Sequence, residues 1–388
     1  MNSPAKSLPP AVDLIIVLDA GWPYKDAMTL LSYLIDKLDL GEYGEGVGVG
    51  GGGGSTFTLM TGRNTQNPPI VNSSSTPLDF YGNFTKDLYN SLQAGMDLSQ
   101  VLIKLRTMYA ATMEIERDRR TTTGRPQVAL FITYMSSVLS DSERSAARNA
   151  YNRLRIKAPN THFIYWTLGS KDQYRDFVID KDKDLIQISS VSDFQSSVQV
   201  LMENLNSIPR RILNCACTYR WESNGESGKS IQYADPLGRP LLFNLHPNFF
   251  FKSDKATVKF QGQGYGSLQI CYSRNPITGN SSSSSSSKPN CKTITSETAE
   301  FSESQPCSGT DYISSCKQMY FSVTPTSSNP RCFDKYCRYP DMIRFTVTHE
   351  GLTCANSAKG LLLSGTSATL FIVMLSLREL LMRLFFFG

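Results

Sequence analysis

Val12-Asp-Leu-Ile-Ile-Val-Leu-Asp19 decides the fold. Its five central residues, Leu14 to Leu18, are all apolar and stand between two aspartates. A strand with one wetted face alternates apolar and polar residues, whereas an unbroken apolar run bounded by charges suits a strand buried on both faces. Downstream, Met28, Leu31, Leu34 and Ile35 predict an amphipathic helix over 24–38, and Thr56-Phe-Thr-Leu-Met60 reads as a second strand. The clearest helix spans 98–117, with Leu98, Val101, Leu102, Leu105, Met108 and Tyr109 recurring at i, i+3, i+4 and i+7. Gly124 and Pro126 end it, and Val128-Ala-Leu-Phe-Ile132 is another buried strand. A helix over 142–154, strands His162-Phe-Ile-Tyr-Trp166 and Leu185-Ile-Gln-Ile188, and a last helix complete the pattern. Ser192-Asp-Phe-Gln195 reads as the capping box of that last helix, whose apolar side is Phe194, Val198, Leu201 and Leu205. Strand–helix alternation of this kind predicts an α/β fold, a doubly wound and mostly parallel sheet with flanking helices.

The chain then changes character. Pro209-Arg-Arg211 reads as a linker, and beyond it come short alternating strands such as Thr257–Phe260, Ser267–Ile270, Met319–Val323 and Ile343–Val347. All nine cysteines lie here: Cys215, Cys217, Cys271, Cys291, Cys307, Cys316, Cys332, Cys337 and Cys354. The pattern predicts a disulfide-rich all-β domain in an oxidising compartment, with connectivity not deducible and one thiol left over. Zinc is disfavoured: Cys215-Ala-Cys217 lacks the two-residue gap of a knuckle, and His162, His246 and His349 do not adjoin a cysteine pair. The expected domains are 11–208, 215–355 and an apolar tail over 356–388. The serine run 281–287 reads as a solvated loop. Sequons at Asn72, Asn83 and Asn280 agree with secretion.

Composition excludes several classes. The 388 residues are 40% hydrophobic and 19% charged, with a net charge of +5 that gives no reason to expect nucleic acid. Arg117, Arg119, Arg120 and Arg125 read as a solvated helix end. The run Gly46–Gly54 lacks the lysine of a phosphate loop and opens no helix, so nucleotide binding is not expected. No serine sits in a nucleophile elbow, and His349-Glu350 lacks the second histidine of a zinc protease, so the chain is not expected to be an enzyme.

Val12–Asp19, Gly95-Met-Asp-Leu-Ser-Gln-Val-Leu102 and Val128-Ala-Leu-Phe-Ile-Thr-Tyr134, in that order, resemble a von Willebrand factor type A domain over about 11–208, half the chain. The resemblance implies protein-ligand binding through a divalent ion at the carboxyl edge of the sheet, where open α/β sheets generally bind ligands. It also implies an ion site of Asp-x-Ser-x-Ser after the first strand, a threonine in a second loop and an acid in a third, oxygen donors suited to Mg²⁺. Here the first loop is Asp19-Ala-Gly21-Trp-Pro23, the second offers Asp97 and the third starts at Thr133-Tyr134-Met135. One ligand of the set remains. The ion site is therefore expected to be lost, with no metal or cofactor and with Asp19 capping the next helix or pairing locally. Trp22, Tyr24 and Trp166 fall near strand ends; they read as core or rim packing or, with Asp19 and Tyr134, as a protein-binding surface.

Gly360 to Leu377 is uncharged, and Arg378, Glu379 and Arg383 follow. The tail suits a glycolipid-anchor signal attached near Asn356-Ser357-Ala358 or a single membrane span. Residues 1–12 show no secretory signal, so a start upstream is expected. The expectation is a non-enzymatic, membrane-tethered adhesion or ligand-binding protein at the extracellular face; an auxiliary subunit of a channel or receptor is the alternative.

Overall fold

The computed structural model describes residues 10–41, 54–223, 228–236, 238–277, 289–327, 330–333, 337 and 339–356. The glycine run through 53, Asn280, the serine run and the tail from 357 onward lie outside the described residues.

The strand β1 (Asp13–Leu18) occupies the middle of a six-stranded sheet. Its partners are β2 (Thr56–Thr61), β3 (Val71–Ser74), β4 (Gln127–Thr133), β5 (Thr161–Thr167) and β6 (Leu185–Gln187), in the order β3-β2-β1-β4-β5-β6. Every pairing is parallel except the antiparallel edge β2–β3. Leu14, Ile16 and Leu18 point to one face, where they pack with α1 (Tyr24–Lys37) and α6 (Phe194–Ser207). Ile15 and Val17 point to the other, into a cluster with α4 (Leu98–Arg119) and α5 (Asp141–Lys157). Two short helices, α2 (Pro77–Asn83) and α3 (Lys86–Asn90), follow β3. The unbroken apolar run is thus explained by a helical layer on each side. This is the α/β class the alternation predicts.

The second half is all-β with short 3₁₀ turns. It contains β7 (Arg210–Ile212), β8 (Ser230–Ala234), β9 (Leu241–Leu245), β10 (Lys255–Gly262), β11 (Leu268–Ser273), β12 (Asn290–Ile294), β13 (Thr298–Ser304), β14 (Met319–Pro325) and β15 (Ile343–Glu350). They form a four-stranded sheet, β13-β10-β15-β8, and a five-stranded one, β12-β11-β14-β9-β7. Phe260 of the first sheet meets Phe321 and Phe243 of the second at ring separations of 5.3 and 5.9 Å, so the two sheets share one core. Four disulfides form: Cys217–Cys354, Cys271–Cys291, Cys307–Cys316 and Cys332–Cys337. Cys215 is unpaired and buried, which corrects its assignment to a disulfide. Burial, with Glu116 nearby, pushes its thiol up to about 12, so it stays protonated and unreactive at neutral pH.

Three readings are corrected at the junction of the halves and near it. Residues 209–211 do not form a free linker: β7 pairs in parallel with β9, and the buried Arg211 donates to Glu116 Oε1 at 3.1 Å and to Arg125 O at 2.7 Å. Gln232 Nε2 donates to Thr123 O at 2.8 Å, and Trp221 Nε1 to Ile156 O at 3.0 Å. Gly124 has φ +64°, and a Cβ there would stand 2.9 Å from Gln232 Nε2, so glycine permits this close approach. Arg125 is not part of a solvated helix end; it is buried and ion-paired with Asp13 at 2.8 Å. The capping box near 190 uses Ser190 and Asp193 rather than Ser192 and Gln195, and it caps a 3₁₀ turn that leads into α6. Both serines satisfy the same pattern, and hydrogen bonding selects the earlier one.

Candidate functional site

The candidate site lies at the carboxyl edge of the parallel sheet, where the loops after β1, β2 and β4 converge. Asp19 follows β1 directly and is fully buried, at 0% exposure. Its backbone N–H donates to Ile132 O at 2.9 Å, which continues the β1–β4 ladder by one residue. Four donors surround its carboxylate. Oδ1 accepts from the backbone N–H of Gly21 at 2.8 Å and of Gly95 at 2.7 Å. Oδ2 accepts from the N–H of Tyr134 at 3.1 Å and from the Ser137 hydroxyl. Such charge-assisted bonds in a buried setting are the strong ones.

Each donor has a local cause. Gly62 N–H donates to Leu18 O, and Gly62 O accepts from Asp97 N–H, both at 2.8 Å, so the turn at 95–97 is pinned beside the end of β1. Gly95 has φ +94°, open to glycine and strained for other residues, and this conformation accompanies the N–H aimed at Asp19. Ser137 N–H donates to Tyr134 O at 2.9 Å, closing the turn that holds the Ser137 hydroxyl under the carboxylate. A Cβ on Gly21 would lie 3.1 Å from Asp19 Oδ1, so the first loop also has little room for a larger residue.

Asp19 therefore neither caps α1 nor pairs only locally. The N-cap of α1 is Pro23, without a side-chain bond, and three of the four donors are 76, 115 and 118 residues away. Asp97 does not join it: Asp97 is the exposed N-cap of α4, and its Oδ1 accepts from Gln100 N–H at 3.1 Å and from Ser99 at 3.0 Å. Thr133 is fully buried at the end of β4. Among the described residues no group of three or more His, Cys, Asp or Glu is placed to hold a metal.

The aromatic residues divide between core and rim. Trp22 is 2% exposed and packs on Tyr134 and Phe194 at 5.2 and 5.8 Å, and Trp166 is fully buried against Phe194. Neither indole offers a surface, which corrects the binding role given to Trp22. Tyr24 and Tyr134 are half-buried. Tyr24 packs with Phe84 and Tyr89, and the Tyr89 hydroxyl donates to Trp22 O at 2.7 Å; burial, then Asp19 and Asp26, raise the Tyr89 ionisation well above its ordinary range.

The remaining polar candidates are structural. His162 on β5 meets Asp184 at 2.6 Å. His349 is buried against Leu213 O at 3.1 Å and pushed down to about 4 by burial; burial likewise pushes His246 down to about 3. Asn72 and Asn83 are exposed. Asn356 is tied back by its side chain to Arg220 O at 2.7 Å and by its N–H to Trp221 O at 2.8 Å. No helix among the described residues is long and apolar enough to cross a membrane.

Sequence reasoning missed Gly95 and Ser137. The search at those loops was for a threonine and an acid, side chains that ligate metal. The usable signal was the reverse: a glycine beside a serine-containing turn, groups that donate hydrogen bonds. The chain matches no family model and no curated protein. Among solved structures it is similar to three of proximal thread matrix protein 1 from the mussel byssus, one of them with a zinc-occupied MIDAS motif. Identities are 13%, 13% and 12%, with TM-scores of 0.34, 0.31 and 0.32. The matches cover 51% of this chain and 48–49% of those, so the chain spans about half the length of the structures it matches. The zinc belongs to that protein, and at these scores the likeness assigns no role to any residue here.

Proposed function

We propose that the chain is a non-enzymatic protein-binding or adhesion protein of an oxidising, extracellular compartment, built on a von Willebrand A-like unit that works without a divalent ion. The observation that carries the reading is Asp19. A hard cation needs carboxylate lone pairs that are free, and it repels donor hydrogens aimed at the same oxygens. The four donors at Asp19 occupy those lone pairs and supply the positive potential an ion would bring. Binding Mg²⁺ there would require breaking several buried hydrogen bonds, with no second carboxylate to compensate.

The disulfides of the second half support the oxidising compartment. A glycolipid anchor or a span in the tail, and sugars at Asn72, Asn83 and Asn280, belong to the same proposal.

The test is calorimetry of the full chain with Mg²⁺ and Mn²⁺, paired with cell binding in the presence and absence of a chelator. No saturable heat and chelator-insensitive binding are expected. Micromolar ion affinity that vanishes in Asp19→Asn would overturn the ion-independent reading. Release of the protein from intact cells by a phosphatidylinositol-specific phospholipase is expected for the glycolipid anchor.

A further inference from the structure

We infer that the groove between α4 and α5 is the docking site for an acidic peptide segment of a protein partner, one carrying an apolar residue between its carboxylates. This rests on the protein-binding reading above and locates it away from the carboxyl edge.

The groove is a cavity of about 390 Å³, within the range of ligand sites. Ala110 of α4 and Ile156 of α5 line it, and Tyr219 from the start of the cysteine-rich half closes one end. Ile156 is 62% exposed, a large apolar lining side chain left in water. Three cations rim the groove, Arg106, Arg153 and Lys157, and no acid lines it.

Ordinary structural roles do not account for Arg106 and Arg153. Surface arginines on helices usually meet an acid three or four residues away. Around Arg106 those positions are Leu102, Ile103, Tyr109 and Ala110; around Arg153 they are Asn149, Ala150, Ile156 and Lys157. Neither guanidinium has a hydrogen-bond or ion-pair partner among the described residues. Lys157 does have such roles: it sits in the last turn of α5, where the helix dipole favours a cation, and its Nζ donates to Tyr219 O at 3.1 Å and stands 5.5 Å from the centre of the Tyr219 ring. Arg106 is in the middle of α4, where the dipole gives no such reason.

Two guanidinium forks across an apolar floor suit carboxylates flanking an apolar side chain, since each fork accepts a carboxylate in two-point geometry. A sulfated polysaccharide would satisfy the charges and leave Ile156 and Ala110 facing polar groups. The floor therefore favours a peptide. The groove also touches both halves of the chain, because Trp221 and Lys157 bind across the same junction, so its walls are held by hydrogen bonds rather than by one helix pair alone.

The test uses the full chain and three probes: a fluorescein-labelled hexapeptide with two acidic residues on each side of Leu-Phe, its Gln/Asn counterpart, and a heparin hexasaccharide. The acidic peptide is expected to bind in the micromolar range, to weaken about tenfold or more in Arg106→Gln/Arg153→Gln and in Ile156→Ser, and to weaken as salt is raised. The neutral peptide is expected to bind at least tenfold more weakly. Both arginines are unpartnered, so the double variant is expected to melt as the wild type does, and hydrogen exchange over α4 and α5 gives a readout independent of the label. Acidic-peptide binding unchanged in the double variant, or preference for the sugar over the peptide, overturns the proposal. Wild-type cell binding that survives Arg106→Gln/Arg153→Gln overturns this groove while leaving the protein-binding reading intact; peptide binding without any cell binding does the converse.

Discussion

The two halves of the chain reach stability by different routes. The cysteine-free half covers both faces of one sheet with helices and so builds two cores, one on each side of β1. The cysteine-rich half has one main core between two sheets, and the edge strand β12 is exposed along most of its length. A chain that buries less has less to set against its conformational entropy, and cross-links compensate by restricting the unfolded state. Their placement fits that role. Cys217–Cys354 joins the start of the half to its end across 137 residues, and Cys271–Cys291 links directly opposed residues of β11 and β12. The first half also has a staple, but a non-covalent one: Asp19 gathers three loops that no disulfide joins.

The contrast can be broken in four ways. Replacing Cys217 and Cys354 by serine has the largest expected effect, a loss of about 4–5 kcal/mol in the chain-entropy picture of a loop this long. Calorimetry should show the β half melting earlier while hydrogen-exchange protection of β1 and β4 persists; simultaneous loss of both would mean the halves fold as one unit. Next, Asp19→Ala leaves three N–H groups and a hydroxyl without their acceptor and should cost about 3–4 kcal/mol, measured by denaturant unfolding. Asp19→Asn keeps the shape and should cost roughly half as much. A variant as stable as the wild type would show that the carboxylate is no staple.

Acid separates the halves further. His349 and His246 have lowered values in the fold, about 4 and about 3, so the folded state favours the neutral rings. Above the ordinary histidine value near 6.5 both states are neutral and nothing is lost. Between that value and about 4, the unfolded chain takes up protons that the folded chain does not. Stability therefore falls as the pH drops, by up to about 1.4 kcal/mol per pH unit for each ring. Denaturant midpoints measured from pH 7 to 4 should show this slope, and His349→Gln should roughly halve it, leaving the part due to His246. A more local effect is expected at the junction. Glu116→Gln removes the charge facing the buried Arg211 and should cost about 1–3 kcal/mol, read as faster hydrogen exchange of β7.

Much of the first half was legible because its elements carry strong periodicity. The helix expected over 98–117 runs to Arg119, and the strand expected at 128–132 extends by one residue at each end. Residues 209–211 were misread because an arginine pair after a proline looks solvated, and the acid that satisfies Arg211 comes from α4, 95 residues earlier. Arg125 was misread for the same reason, since its partner Asp13 opens the chain's first strand. The disulfide framework was visible in the cysteine spacing, while the pairing and the solitary Cys215 were not, because spacing does not report which sulfurs meet.

The sequence by itself determined the class of each half. Apolar periodicity dictates which faces must be buried, and that selects a helix-covered parallel sheet first and a stapled β region after it. It also put Gly21 and Pro23 at the two positions after Asp19 where the resembled pattern has hydroxyls. Only the tertiary structure decided what Asp19 does, because a buried carboxylate takes its character from the groups that face it. Here three of the four are backbone N–H donors, which every non-proline residue carries and which no sequence pattern distinguishes until the chain is folded.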